Sequence, residues 1–180
     1  TVLDEKGRLK SEQVVDLVSG LSLSRSVATQ FDSFGRPTRV EFDDGTFLSR
    51  NYACCGLASE RDRFGVVTSY AYDALGRPIA ATRFGLITQT GYDAAGRVTS
   101  ISRVGTDASA LIQETSVYDL AGRLVQKGDA LGRRTTFAET YDATTGQTTR
   151  NTTNPDGGTS IDVSARDGSR LSTGGTAVAP

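Results

Sequence analysis

The chain has 180 residues, enough for one sizeable domain or two small ones. Hydrophobic residues are only 37% of it, Trp and Met are absent, and there are twenty Gly against four Pro, which favours β-structure with many turns and a thin core. The net charge of −1 argues against a nucleic-acid partner or an anionic membrane surface.

No apolar run approaches the length of a transmembrane helix, so membrane insertion is not predicted. The first residues lack the basic start and apolar block of an export signal. Because the chain opens on Thr1 and not on Met, we expect a fragment or a processed piece of a longer protein.

Residues 1–30 form an irregular first repeat, which begins with Leu3-Asp4-Glu5-Lys6-Gly7-Arg8. The stretch from Ser11 to Gln30 is less regular. It is compatible with one turn of helix or with a strand, and the strand is favoured; the apolar residues concerned are Val14, Val15, Leu17 and Val18.

Residues 31–136 contain regular repeats of about twenty residues. The segment Asp62 to Ala81 overlies the segment Thr82 to Ile101 without a gap. Each period holds two turn glycines about nine or ten residues apart, which predicts consecutive hairpins and leaves no room for crossover helices. The glycine pairs are Gly35 and Gly45, Gly56 and Gly65, Gly76 and Gly85, Gly96 and Gly105, and Gly122 and Gly132.

A degenerate copy of the repeat turn lies at Ala53 to Leu57 and contains the adjacent Cys54 and Cys55. A disulfide between neighbouring cysteines is strained, so we expect two small buried thiols. The chain has no His that could complete a metal site with them.

The repeat is interrupted after Gly105, where the spacing to the next Tyr grows, and we predict a loop insertion over Thr106 to Ala110. The pattern resumes at Tyr118. Residues 137–180 are read as degenerate repeats, with a weak copy at Tyr141-Asp142, followed by a flexible tail. The whole of 1–180 is thus predicted to be a single repeat domain.

The repeated Asp-x-x-Gly-Arg motif has the chemistry of a three-residue hairpin loop. Asp accepts backbone N–H groups at the first position, and Gly takes positive φ at the fourth. In that register Asp stands opposite Arg, an ion pair worth about 0.2–1 kcal/mol. The predicted structural turn residues are Asp4, Gly7, Arg8, Asp32, Gly35, Arg36, Asp73, Gly76, Arg77, Asp93, Gly96, Arg97, Asp119, Gly122 and Arg123.

The same register places an apolar pair behind each turn. In the degenerate copy, Ala53 replaces Asp and Leu57 replaces Arg, so both charges are lost together. This indicates that the two charges pair with each other and stabilise the turn, and that they have no catalytic role. The apolar pairs are Leu3/Leu9, Phe31/Pro37, Tyr72/Pro78, Tyr92/Val98 and Tyr118/Leu124.

Side-by-side hairpins would align Tyr52, Tyr72 and Tyr92 in one row, roughly 9–10 Å apart. With Tyr118 they could form a binding surface for carbohydrate or protein, because aromatic and Arg side chains are common anchors. The alternative is that they pack within a larger shell.

The repeated Asp residues could also be Ca²⁺ ligands or a general acid and base. An Arg close behind each one would compete for the carboxylate, and ligand-dense calcium loops are missing. Without His, a Ser-His or Cys-His arrangement cannot form within this chain. We therefore predict no catalytic residue, metal or cofactor.

The motif, its spacing and the recurring Arg-Phe-Gly turn closely resemble the Rhs and YD-repeat family of bacterial Rhs proteins, toxin-complex shells and teneurins. The resemblance covers most of the chain, best from Phe31 to Thr136. It implies a long β-sheet wound into a hollow cage, which encloses a toxic domain or serves cell-surface adhesion, in a secreted or surface-associated parent protein.

Two departures from the family limit the expectation. This chain contains too few repeats to close a cage alone. The Asp-Pro-rich self-cleaving segment is missing, since Asn154-Pro155-Asp156-Gly157-Gly158 has only the pattern of a turn.

We therefore predict an all-β meander of a dozen or more short antiparallel strands, in a broad, twisted and curled sheet. The predicted function is a non-catalytic scaffold whose partners are neighbouring repeats of a larger parent chain. The alternative is an adhesion module that binds a glycan or a protein. Open sheet edges would also favour self-association.

Overall fold

The structure, a computed structural model, describes residues 1–54 and 56–176. Over these residues the secondary structure consists of sixteen β-strands and no helix. The strands follow one another in the sheet in their chain order, from β1 to β16. The predicted all-β antiparallel meander is confirmed, whereas its curl stays a prediction.

The first of two compact units spans Thr1–Thr88. Its strands pair with their chain neighbours in antiparallel fashion. They are β1 (Val2–Leu3), β2 (Leu9–Val15), β3 (Ser22–Phe31), β4 (Pro37–Phe42), β5 (Phe47–Ala53), β6 (Gly56–Arg61), β7 (Val67–Tyr72) and β8 (Pro78–Arg83).

The second unit spans Gln89–Pro180, and the boundary between the units falls within β9 (Leu86–Tyr92). Its later strands also pair with their chain neighbours in antiparallel fashion. They are β10 (Val98–Val104), β11 (Ala110–Tyr118), β12 (Leu124–Asp129), β13 (Arg134–Asp142), β14 (Gln147–Thr153), β15 (Thr159–Ser164) and β16 (Arg170–Gly174). Whether 1–180 is one domain, with the predicted subdivision at 30 and 136, stays a prediction.

The irregular stretch from Ser11 to Gln30 is a hairpin, as the favoured interpretation predicts. Val14 and Val15 belong to β2, which pairs with β3. Leu17 and Val18 lie in the turn between these strands and are 96% and 98% exposed. The short apolar run therefore spans a strand end and a turn and is not a helical turn.

Four of the predicted apolar pairs are partners in the observed strand register. The register shifts between the first residue of each pair and the residue before it, so a β-bulge lies near the turn and increases the local twist. The observed partners are Leu3 with Leu9, Phe31 with Pro37, Tyr72 with Pro78, and Tyr118 with Leu124.

The sheet has no conventional core. Among residues 1–54 and 56–176, no apolar side chain is buried. A single layer of strands cannot bury one face without a second layer. Contacts between adjacent hairpins therefore carry the stability of each unit.

The predicted loop insertion over Thr106 to Ala110 is only partly a loop. Ala110 is already the first residue of β11, which has nine residues. The turn is closed by the N–H of Gly105 bonding to the carbonyl of Ser109 over 2.9 Å, and Ala108, not Gly105, has the positive φ of 63°. The extra residues thus lengthen a strand as well as the turn.

Candidate functional site

The turn after β1 shows how the Asp-x-x-Gly-Arg motif closes a hairpin. The N–H of Asp4 donates to the carbonyl of Arg8 over 2.8 Å, and the N–H of Gly7 donates to the carbonyl of Asp4 over 2.9 Å. Gly7 has a φ of 74°, the left-handed conformation that Gly adopts without strain. This is a three-residue loop with a bulge, and we call it a YD turn.

The Asp4 carboxylate accepts hydrogen bonds from both backbone and side-chain groups. Its Oδ1 accepts the N–H groups of Lys6 and Arg8 over 2.9 Å each. Its Oδ2 accepts Arg8 Nε over 2.6 Å. The guanidinium of Arg8 and then its backbone N–H lower the pKa of Asp4, so the carboxylate is ionised at neutral pH.

The same arrangement recurs in the other predicted turns. In each of them Oδ1 of Asp accepts the backbone N–H of Arg, and Oδ2 accepts Arg Nε over 2.6–2.8 Å. The glycines have φ between 76° and 84°. The turns are Asp32-Gly35-Arg36, Asp73-Gly76-Arg77, Asp93-Gly96-Arg97 and Asp119-Gly122-Arg123.

One further turn of this kind joins β12 to β13 and is missing from the sequence-based set. Asp129 Oδ1 accepts the N–H of Arg133 over 3.0 Å, and Oδ2 accepts Arg133 Nε over 2.7 Å. Gly132 has a φ of 76°. The sequence contains the five-residue motif here, but Gly128 and not an apolar residue precedes Asp129, and the turn joins two hairpins.

Three of the YD arginines also reach an aromatic ring of the next hairpin. The guanidinium carbon of Arg8 lies 4.2 Å from the ring centre of Phe31, and that of Arg36 lies 4.1 Å from Tyr52. Arg97 likewise lies 4.7 Å from the ring of Tyr118. These are cation–π distances, so the same cation closes its own turn and covers the aromatic residue that precedes the turn of the following hairpin.

The Tyr hydroxyls make a second link between hairpins. Tyr72 Oη donates to the carbonyl of Leu57 over 3.0 Å, and Tyr118 Oη donates to that of Val98 over 3.1 Å. Tyr52 makes a longer bond to Pro37 over 3.5 Å. Tyr52, Tyr72, Tyr92 and Tyr118, which we call the Tyr row, are all half-buried, and their predicted alignment stays a prediction.

The turns of neighbouring hairpins also lie close to each other. A Cβ added to Gly35 would lie 3.0 Å from Arg8 Cδ. A Cβ on Gly122 would lie 3.2 Å from Arg97 Nη1, which also contacts the carbonyl of Asp119 over 3.4 Å. A larger residue at either glycine would therefore meet the arginine of the preceding hairpin.

The degenerate copy differs from the prediction. Tyr52 pairs with Leu57 and Ala53 pairs with Gly56, so the loop is one residue shorter than a YD turn. Ala53 and Leu57 are therefore not opposite each other. Cys54 is exposed, which contradicts the expected buried thiol, and Cys55 lies outside the described residues.

The turns that join one hairpin to the next, which we call return turns, use a different ion-pair scheme in the first unit. Arg63 pairs with Asp44 of the preceding return turn. Arg83 Nη2 pairs with Asp62 Oδ2 over 2.7 Å, again one return turn back. The charges at this end of the hairpins are thus paired between turns and not within them.

A shallow depression of about 580 Å³ in the second unit is the place to consider a general acid and base. Its carboxylates are Asp119 and Glu139, and both contact Arg123, over 2.8 Å and 3.6 Å. The backbone N–H and then the guanidinium of Arg123 lower the pKa of Asp119, which does not favour a proton-donating acid there. The depression therefore has the same ion-pair chemistry as the turns.

No group of three acidic or Cys side chains that could hold a cation occurs in residues 1–54 and 56–176. In the same residues there is no helix of sufficient length and hydrophobicity to span a bilayer.

Comparison with known families finds the RHS repeat in residues 56–85. The predicted resemblance to the Rhs and YD-repeat family is therefore confirmed. No curated protein matches the chain significantly.

Three solved structures that contain TcdB2 and TccC3 are similar to the chain. In the crystal structure of TcdB2-TccC3-Cdc42, the match has a TM-score of 0.56 and 14% identity, and covers 95% of this chain and 11% of that one. In TcdB2-TccC3-TEV the TM-score is 0.57, with 14% identity and 96% and 11% coverage. In TcdB2-TccC3 without the hypervariable C-terminal region, the values are 0.53, 15%, 91% and 11%. At this identity the likeness shows the fold, and the chain spans about a tenth of these relatives.

Proposed function

We propose that this chain, an Rhs-type repeat sheet, is a non-catalytic structural segment of a YD-repeat shell that encloses or presents another domain of a larger protein. One observation carries the proposal. Arg8, Arg36 and Arg97 each close their own hairpin and cover the aromatic residue before the turn of the next, as Arg36 does with Asp32 and Tyr52. Such a link extends a sheet from hairpin to hairpin without a buried core.

The charge arrangement also supports a structural role. The YD carboxylates accept hydrogen bonds from backbone and guanidinium groups, which leaves little capacity for proton transfer or metal binding. In the proposed shell the partners of the open strands are neighbouring repeats of the parent chain. The parent would act outside the cell or at its surface, and isolated copies of this segment would self-associate through their open strand edges.

Protease protection in the full-length parent protein tests the enclosing role. We expect the domain that follows the repeats to resist protease in the intact protein and to be digested when residues 1–180 are deleted. The matched control deletes one full period, Thr82 to Ile101, which keeps the repeat chemistry. Equal digestion of the downstream domain with and without residues 1–180 would contradict the proposal.

The adhesion alternative would use the Tyr row as a glycan- or protein-binding surface. The rings are only half-buried, so part of each remains accessible. A glycan array with the purified chain tests it. Binding that is lost in Tyr52→Ala and Tyr118→Ala but kept in the exposed variant Tyr141→Ala would favour this alternative over a purely structural role.

A further inference from the structure

The strand register explains which residue of the next hairpin lies against the face of a YD arginine. Arg36 and Tyr52 each lie three residues beyond a paired position of β4 and β5. Arg97 and Tyr118 have the same relation to a paired position of β10 and β11. The ring beside the guanidinium therefore belongs to the residue that the register places opposite the arginine.

At Arg123 this opposite position is occupied by a carboxylate. Gln126 of β12 pairs with Thr136 of β13, and three residues further the register places Glu139 opposite Arg123. Glu139 contacts the guanidinium over 3.6 Å and takes the place of the ring. Because a carboxylate covers less of the guanidinium than a ring does, the Arg123 side chain is 55% exposed, against 28–38% for the other four predicted YD arginines.

The depression of about 580 Å³, which we call the Arg123 depression, is lined by both Arg123 and Glu139. Arg150 also lines it, and its guanidinium carbon lies 5.0 Å from the ring centre of Phe137. A concave, partly apolar site with a few charged groups is typical of ligand binding. The apolar part of the lining comes from both strands and consists of Leu124, Val125, Phe137 and Ala138.

We propose that the Arg123 depression binds a tyrosine side chain from a polypeptide segment outside residues 1–180. The chain shows how such a ring is held, because Tyr118 lies against Arg97 and donates its hydroxyl to the carbonyl of the next residue, Val98. The equivalent carbonyl beside Arg123 is that of Leu124. The apolar lining would contact the ring, as apolar surfaces do at other aromatic anchor sites.

The ion pair between Arg123 and Glu139 does not prevent this arrangement. A guanidinium bonds to carboxylates through its edge and stacks on rings through its face. Arg36 does both at once, since its Nε bonds to Asp32 over 2.6 Å while its guanidinium carbon lies 4.1 Å from the ring centre of Tyr52. The face of Arg123 can therefore accept a ring while its carboxylate partners stay paired.

The donor of the tyrosine follows from the proposed function. In a shell that encloses or presents another domain, an extended segment of that domain would supply the side chain, so this choice of donor rests on the proposed function. A single ring contributes little binding free energy. We therefore expect an isolated tyrosine side chain to bind with a dissociation constant of about 1 mM.

Amide NMR spectra of the isotope-labelled chain, titrated with N-acetyl-tyrosinamide, test the proposal. We expect shifts confined to the signals of the depression, such as those of Val125, Phe137 and Ala138, and saturation with a dissociation constant of about 1 mM. N-acetyl-leucinamide, which has no ring, should bind at least about fivefold more weakly. This comparison uses the unaltered chain, so it does not depend on the folding of a variant.

The variant Glu139→Tyr places a ring opposite Arg123 within the chain itself. We expect it to weaken binding of the tyrosine probe at least about tenfold and to raise the melting temperature by about 2–4 °C. The matched control Glu139→Gln removes the charge and adds no ring, so it should bind the probe within about threefold of wild type.

Three results would overturn the proposal: no localised shifts up to about 20 mM probe, equal binding of the leucine probe, or undiminished binding of the tyrosine probe by a folded Glu139→Tyr variant. Stronger binding of methyl glucoside than of the tyrosine probe at the same signals would also overturn it, since the depression would then take carbohydrate. The protease protection of the downstream domain is measured separately, so failure of the tyrosine site is distinguishable from failure of the shell.

Discussion

The turn at Asp73 to Arg77 and the turn at Ala53 to Leu57 occupy the same place in successive periods, yet they close differently. The first has a three-residue loop, a carboxylate that accepts two backbone N–H groups, and an ion pair. The second is one residue shorter and has neither charge. The comparison indicates that the ion pair belongs to the longer loop and is lost with it.

The link to the next hairpin survives this loss. Tyr72 Oη still donates to the carbonyl of Leu57 over 3.0 Å. A Cβ on Gly56 would lie 3.0 Å from the same Tyr72 hydroxyl, so the absence of a side chain makes room for it. A hairpin can thus be joined to its neighbour by a guanidinium over the ring or by the hydroxyl alone.

Acid should produce the largest effect, because it neutralises all YD carboxylates together. Hydrogen bonds lower the folded pKa of Asp4, Asp32, Asp73, Asp93 and Asp119 below the ordinary value of 3.8. A depressed folded pKa contributes stability above the unfolded pKa and loses it as the pH falls through the folded pKa. We expect the melting temperature to be constant from pH 7 to about pH 5 and to fall steeply below about pH 4.

Circular dichroism melts across this pH range measure the effect. The variant Asp73→Ala/Arg77→Leu, which copies the charge loss at Ala53 and Leu57, should show a smaller acid-induced fall than wild type. An acid dependence identical to that of wild type would show that the Asp73 carboxylate does not contribute to it.

Gly76→Val should give the largest effect of a single substitution. Gly76 has a φ of 76° and open space around its Cβ position, so the cost comes from backbone strain alone, roughly 1–3 kcal/mol. Urea denaturation measures it. Gly76→Asn should cost much less, since Asn tolerates this conformation, whereas at Gly56 even Asn should be harmful because Tyr72 is in the way.

Asp73→Ala should have a smaller effect, a fall in melting temperature of about 2–4 °C. It leaves the N–H groups of Leu75 and Arg77 without their acceptor in the turn. Asp73→Asn keeps the side-chain oxygen and removes only the charge, so its fall should be smaller. If Asn and Ala were equally damaging, the ion pair and not the backbone bonds would dominate this turn.

Ala53→Asp/Leu57→Arg should have the smallest effect. The charges are restored, but the shorter loop does not place the two residues opposite each other. We expect the double-mutant coupling to stay below about 0.5 kcal/mol. A coupling comparable to that of Asp73 and Arg77 would show that loop length does not matter and would undo the comparison.

Much of the hairpin chemistry was predictable because it is local in sequence. Asp and Arg four residues apart, with Gly between them, specify their loop, and the loop specifies which apolar residues face each other. Asp129 and Arg133 follow the same rule, but Gly128 takes the place of the apolar residue that precedes the other turns. The strand at Val14 was predictable for the same local reason.

The contacts between hairpins were not predictable from the repeat. Arg36 and Tyr52 are sixteen residues apart, and only the bulge geometry and the reach of the guanidinium bring them together. The loop at Ala53 to Leu57 is one residue shorter, but Gly56 still lies twenty residues before Gly76. The twenty-residue period therefore does not reveal the difference in loop length. Gly105 likewise lies twenty residues after Gly85, but the residue with the left-handed conformation in this turn is Ala108.

The arginine that joins one hairpin to the next also affects how genes that encode such repeats can change in length. Its contacts involve only its own period and the following one. Duplication or loss of a twenty-residue unit, such as the gapless match of Asp62 to Ala81 with Thr82 to Ile101, therefore preserves every type of contact. Unequal recombination can then change the length of the sheet while the fold of each remaining hairpin is inherited intact.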